Sequence, residues 1–348
     1  MPKIKTFQAA LDHADNHADE VSVLLGNGFS IDYDPTIFKY ESLAEEANLS
    51  DLSVSKEALF GALGSSNFEV VIDRLKSSAA IEELYGGSAA RAEAMKSDAR
   101  VVRNGLADVL ATRHPARAHN LEPDQIVHAR RFLANFSNIY TLNYDLLLYW
   151  VVMATEHGSR VPKKDGFGWV SSSDHSLIWS STPTQRQRIF YLHGALHLFV
   201  EDRRLHKMSY NESGPIVGSI RRRLRNGDYP LVVTEGSSED KRERIGRSAY
   251  LRTGLNRFGE QRGALFVHGM SMHENDSHIL ERLEAEDSNI TRLYVGVHGT
   301  AESRASKKLI ERSEDLAQQR EKNGGRRLRI KFYDTSSASV WRDSDVSD

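Results

Sequence analysis

Gly26-Asn27-Gly28-Phe29-Ser30, Thr141-Leu142-Asn143-Tyr144-Asp145, Leu192-His193-Gly194 and Val267-His268-Gly269-Met270-Ser271 are the stretches whose residue types can do chemistry. Gly26 and Gly28 let the chain turn sharply and let a ligand approach the backbone with no Cβ in the way. If Ser30 and the residues after it open a helix, free N–H groups there face a phosphate. Asn143 and Asp145 offer an amide and a carboxylate to a ligand, and they can equally cap the helix that follows them. His193 is the side-chain type whose charge changes near neutral pH, which suits general-base work, and Gly194 keeps the space beside it open. A strand-end histidine is also a common structural hydrogen-bonder, and His197 reads that way.

Two features temper this reading. The dinucleotide fingerprint has a third glycine three positions after the second, and Ile31 stands there. His13 and His17 have the i, i+4 spacing that can grip a metal, yet no second ligand pair or H-E-x-x-H accompanies them, so no metal site is expected.

The elements that must position these residues are short apolar runs. Val21–Leu25, Ile139–Leu142, Ile189–Leu192, Leu231–Thr234, Ala264–His268, Leu293–Val297 and Leu328–Tyr333 read as strands. Helical spacing marks Thr6–Glu20, Pro123–Phe136, Tyr144–Met153, Ser248–Phe258, Ser277–Ala285 and Ser303–Arg320. Ile31–Pro35 reads as a polar loop. Between about 40 and 123 the chain is rich in Ala, Glu, Leu, Lys and Arg, and predicts a helical insertion: Tyr40–Ala47, Lys56–Leu63, Phe68–Leu84 and Ala89–Thr112. Strands alternating with helices give an α/β fold with a doubly wound, mostly parallel, Rossmann-like sheet. In such sheets ligands sit beyond the carboxyl ends of the strands, where Asn143, Asp145 and His193 fall. The expected organisation is one domain over 1–342 with that insertion, and a loose tail at 343–348.

Composition sets the outer bounds. The chain has 348 residues, 39% hydrophobic and 27% charged, which reads as a globular protein. A net charge of −2 carries no global bias towards nucleic acid. Arg221-Arg222-Arg223 has no interleaved aromatics and reads as a solvated helix face rather than a nucleic-acid contact. There is no cysteine, which excludes disulfides and thiolate zinc sites. No stretch approaches the ~20 apolar residues of a membrane helix, and Met1–Lys5 has no apolar run behind it. The expected location is the cytoplasm.

In this order, the four stretches resemble the sirtuin-like NAD-binding family. Its hallmarks are a G-A-G-x-S loop, a T-x-N-x-D turn and an H-G strand end, and the late Gly269-Met270-Ser271 is similar to the G-x-S strand end of bacterial members associated with antiphage defence. Gly-Asn-Gly replaces Gly-Ala-Gly here, so Asn27 must be accommodated near the phosphates. Deacylating sirtuins carry a four-cysteine zinc module, which a chain without cysteine lacks. The resemblance therefore points to the NAD-hydrolase branch, with NAD as substrate and no metal.

That resemblance implies roles. Asn143 would position water or ribose, Asp145 would hold the nicotinamide-ribose end, and His193 would be the base or a ribose contact. Gly26, Asn27, Gly28 and Ser30 would cradle the pyrophosphate, with Thr141 and Gly194 beside the site and Gly269 and Ser271 towards the adenosine. The implied activity is cleavage of NAD to nicotinamide and ADP-ribose, or a cyclised product, in abortive infection. The alternatives are an NAD-dependent ADP-ribosyl or acyl-group transferase, and a non-catalytic NAD or ADP-ribose sensor. A cytoplasmic NAD hydrolase must be restrained, so control by homo-oligomerisation or by a separately encoded partner such as an ATPase is expected.

Overall fold

Apolar runs without polar alternation need cover on both faces, and they form the central sheet. A computed structural model describes residues 2–35, 44–65, 68–113, 115, 120–154, 161, 164–169, 177–180, 187–209, 216–226, 228–233 and 238–343. Its strands are β1 (Ile4–Lys5), β2 (Val21–Leu25), β3 (Asn138–Thr141), β4 (Phe167–Gly168), β5 (Leu177–Trp179), β6 (Ile189–Tyr191), β7 (Leu198–Glu201), β8 (Arg204–Lys207), β9 (Arg262–His268), β10 (Asn289–Val297) and β11 (Arg329–Asp334). Every residue of β2, β3 and β6 is buried.

Seven of these strands form one sheet in the order β6-β3-β2-β9-β10-β11-β1, and every neighbouring pair is parallel. From β2 the chain builds outward through β3 to β6, then returns to β9 on the other flank of β2 and builds outward through β10 to β11. The winding reverses between β2 and β9, the arrangement of a doubly wound sheet with its switch point there. The carboxyl ends of β2, β3, β6 and β9 carry the stretches singled out in the sequence.

Helices cover the sheet. α1 (Phe7–Asp15) is capped by the Thr6 hydroxyl and buries Phe7, Ala10, Leu11 and Ala14. The Phe7 ring packs against Phe132, Phe266 and Tyr333, with centroids 5.2 to 5.7 Å apart. α2 (Gly28–Tyr33) leaves the end of β2 directly. The expected loop over Ile31–Pro35 is thus mostly helix, because Phe29 and Ser30 are buried and pull that segment onto the core.

The insertion is helical where described. α3 (Lys56–Leu63), α4 (Phe68–Leu84) and α5 (Ala89–Arg113) follow the expected bounds closely, and α4 packs along α5. Residues 40–43, the first half of an expected helix, lie outside the described residues. α6 (Pro123–Ala134) precedes β3, and α7 (Leu147–Met153) follows it. Further helices among the described residues are α8 (Ile216–Arg225), α9 (Ser238–Arg247), α10 (Ala249–Gly259), α11 (Ser277–Glu284) and α12 (Arg304–Lys322).

Two features depart from the sequence reading. A second, antiparallel sheet runs β4-β5-β8-β7, with Asp202 and Arg203 both at positive φ in the β7–β8 turn. Residues 231–233, expected within a strand, make only an isolated bridge between Val232 and Gly194. Among the described residues no helix is long and apolar enough to cross a membrane.

Candidate functional site

The glycine loop after β2 is zipped to the loop after β9. Gly26 N–H donates to the His268 carbonyl at 2.9 Å, and Gly28 N–H to the Gly269 carbonyl at 2.8 Å. A Cβ on Gly26 would lie 2.6 Å from the Gly269 oxygen, and one on Gly28 would lie 2.5 Å from the Gly269 Cα. Gly269 itself sits at φ 72°. Gly26 and Gly28 are absent from the positive-φ positions, so the sharp-turn reason given to them from sequence does not hold. Their smallness lets two backbones touch. Asn27 precedes α2 in helical conformation, with no capping bond from its side chain. Ser271 is exposed, and its carbonyl accepts from Arg312 on α12.

The end of β3 is the hub. The Asn143 amide nitrogen donates to the Gly26 carbonyl and to Ser30 Oγ, both at 3.0 Å. Ser30 Oγ donates onward to Asp145 Oδ2 at 2.5 Å. The other Asp145 oxygen accepts Leu147 N–H at 2.8 Å, at the start of α7. Thr141 Oγ1 accepts Asn143 N–H at 3.0 Å and fixes the turn. With both amide hydrogens committed, the orientation of the Asn143 carboxamide is set by its partners. Asn143, Asp145 and Ser30 are all buried. Asp145 therefore has two structural tasks: it begins the helix, and it positions Ser30 against Asn143.

His193 approaches the same hub from β6. It is 3% exposed, and the backbone of Leu142, the residue before Asn143, acts on its ring in favour of the charged form. Its Nε2 lies 2.9 Å from Nε2 of His278. Burial, and after it the Lys241 charge, holds the imidazole well below its ordinary titration range, so it is neutral near pH 7. The space beside it is not open as expected. Gly194 has φ 75°, and a Cβ there would collide with the Leu231 carbonyl oxygen.

His278 is the residue that sequence reasoning missed. It lies in the first turn of α11, is 1% exposed, and is held neutral by burial and then by His193. Ser238 Oγ accepts its backbone N–H at 2.7 Å and lies 3.2 Å from its Nδ1. Asp276 completes a group with His193 and His278 whose ligand atoms lie within 4.8 Å of one another. Such donors can hold a divalent cation, but the Lys241 ammonium, 1% exposed, already lies 3.3 Å from Asp276. A second cation beside a buried ammonium is disfavoured by repulsion that low polarity magnifies.

The other sequence candidates are structural. His13 stacks on His17 at 4.2 Å and bonds the Tyr294 hydroxyl at 2.7 Å. His197 stacks on Tyr149. Arg223 pairs with Glu201 and Asp228 and lies over the Phe199 ring, so one member of the arginine run is committed to the second sheet.

A family model described as "Domain of unknown function (DUF4917)" matches residues 23–341. The chain belongs to this family. All the residues of the strand-end site lie inside the DUF4917 match, while β1 and α1 precede it. No curated protein matches the chain. A cavity of about 310 Å³ in this DUF4917 chain is lined by Glu20, Asn138, Tyr140, Trp179, Arg188 and Arg262, among others. Glu20, Asn138, Arg188 and Arg262 stand at the amino ends of β2, β3, β6 and β9, opposite Asn143 and His193, and Trp179 reaches the cavity from β5. Doubly wound sheets bind ligands at the carboxyl ends, so the candidate site is the Asn143 hub rather than this cavity.

Proposed function

We propose that the protein cleaves the nicotinamide–ribose bond of NAD to give nicotinamide and ADP-ribose. One observation carries this reading: the Asn143 carboxamide, aimed by Gly26 and Ser30, stands at a strand end next to the reversal of winding. Dinucleotides bind across such a reversal. The resemblance of the four strand-end stretches to sirtuin-like proteins adds the substrate.

The chemistry asks little of a strong acid or base. Bond breaking builds positive charge on the ribose, and nicotinamide leaves as a neutral molecule. Orientation is the main demand. Asn143 positions the ribose or the incoming water, and Ser30 and Asp145 hold Asn143. A neutral, weakly basic His193 is adequate for a proton that water loses late. Gly26, Asn27, Gly28 and Ser30 are the residues proposed for the pyrophosphate, and Gly269 and Ser271 for the adenosine side.

The proposal extends to a restrained cytoplasmic effector of abortive infection, controlled by self-assembly or by a separate partner such as an ATPase. Purified protein incubated with NAD separates the alternatives. Nicotinamide release without an acceptor is the expected result. Release only with an added protein or nucleic acid would make it a transferase, and binding without release would make it a sensor.

A further inference from the structure

We infer that His278 caps His193, and that the cleavage proposed above waits on withdrawal of the first turn of α11. The inference rests on that reading of His193 as a residue that must meet substrate or water.

A neutral imidazole has one N–H and one lone pair. One of the two rings donates its Nε2–H to the Nε2 lone pair of the other, at 2.9 Å. That contact takes up the Nε2 of His193. On the far side, Nδ1 of His278 lies 3.2 Å from the Ser238 hydroxyl. Ser238, His278 and His193 thus form one line, and a ribose hydroxyl has no place at His193 Nε2.

α9 holds the cap down at three points. Ser238 binds the His278 backbone, Lys241 faces Asp276 at 3.3 Å, and Arg242 makes two 2.5 Å contacts with the Glu281 carboxylate. The cap also sits at the far end of the segment that leaves Gly269. That segment starts at the zipped contact with Gly28, beside the winding reversal, and passes through Met272 at φ 50°. Non-glycine residues rarely adopt that backbone conformation. A dinucleotide that settles at the reversal meets the near end of the segment, and His278 stands at its other end.

The test uses the full-length protein and two variants. Arg242→Glu places a carboxylate against Glu281 at a half-exposed pair, away from the strand-end site. His278→Leu removes the cap and keeps its bulk. Breaking one such contact shifts a two-state balance by roughly fivefold, so both variants should release nicotinamide from NAD at least that much faster than wild type. Carbethoxylation of His193 by diethyl pyrocarbonate, read by mass spectrometry, should rise with Arg242→Glu in parallel. Unchanged labelling of His193 in Arg242→Glu overturns the cap whatever the turnover. Slower release by His278→Leu also overturns it, because His278 would then assist His193. Stoichiometric zinc in the purified protein, lost in His278→Leu, overturns it as well, since both rings would be ligands. Increased labelling with no nicotinamide from any form supports the cap and rejects the NAD reading.

Discussion

The amide nitrogen of Asn143 and the hydroxyl of Ser30, separated by more than a hundred residues of chain, lie 3.0 Å apart between neighbouring strand ends. Ser30 passes that contact on to Asp145. Ser30→Ala removes a donor from a buried carboxylate and an acceptor from a buried amide. A cost of about 1–3 kcal/mol in unfolding free energy is expected. Nicotinamide release should fall by roughly tenfold or more as Asn143 loses its aim. Urea unfolding and steady-state kinetics check the two effects. A stable variant with wild-type turnover would remove Ser30 from the account.

Glycines at the strand ends are there for backbone contact, and substitution separates them from glycines that are merely tolerated. Gly28→Ala forces a Cβ to 2.5 Å from the Gly269 Cα, and Gly194→Ala does worse against the Leu231 carbonyl. Each should cost about 2 kcal/mol or more, without any ligand present. Gly61, inside α3, has open space where an alanine methyl would stand, with nothing within 4 Å. Gly61→Ala should stabilise by about 0.5–1 kcal/mol through helix propensity. Thermal melts of the three variants decide it, and equal melting points for Gly28→Ala and wild type would contradict the zipped-loop geometry.

Acid should loosen the fold through buried histidines. His268 sits between Phe132 and the Tyr333 hydroxyl, and burial, then the nearby His298, pushes its pKa down to about 4. In the unfolded chain the ring titrates near 6.5. Between those values the unfolded state binds the extra proton, so stability rises with pH there. The contribution is fully present above pH 6.5 and is lost as the pH falls towards 4, up to about 3 kcal/mol. His193 and His278 act in the same direction. Unfolding free energies at pH 7 and pH 4.5 should differ less for His268→Gln than for wild type. Equal differences would show that His268 does not carry this loss.

Sequence pattern was informative where burial is total. Val21–Leu25 has no polar alternation beyond Ser22, and it is a strand over the same five residues. The strand ends were readable for the same reason, since a polar residue after an apolar run must face a loop. The hairpin of β7 and β8 was not readable. It turns on Asp202-Arg203 without a glycine, and Arg204 and Lys207 break the apolar run. Lys207 is buried with its ammonium paired to Asp165 and lying over the Tyr149 and Phe167 rings. His278 was hidden for another reason. It reads as one polar residue at a helix start, and only the fold brings α11 against β6 and α9. The space beside Gly194 is filled by the Leu231 carbonyl, from a segment whose apolar run reads as a strand of its own and whose approach to Gly194 only the fold shows.

The central claim is tested most directly by chromatographic detection of nicotinamide after NAD is incubated with wild-type, Arg242→Glu and Arg242→Glu/Asn143→Ala proteins, each shown folded by circular dichroism. The account predicts release by wild type, faster release by Arg242→Glu, and a loss of roughly a hundredfold when Asn143 is removed. Equal release with and without the Asn143 amide, or none from any folded form, would contradict it.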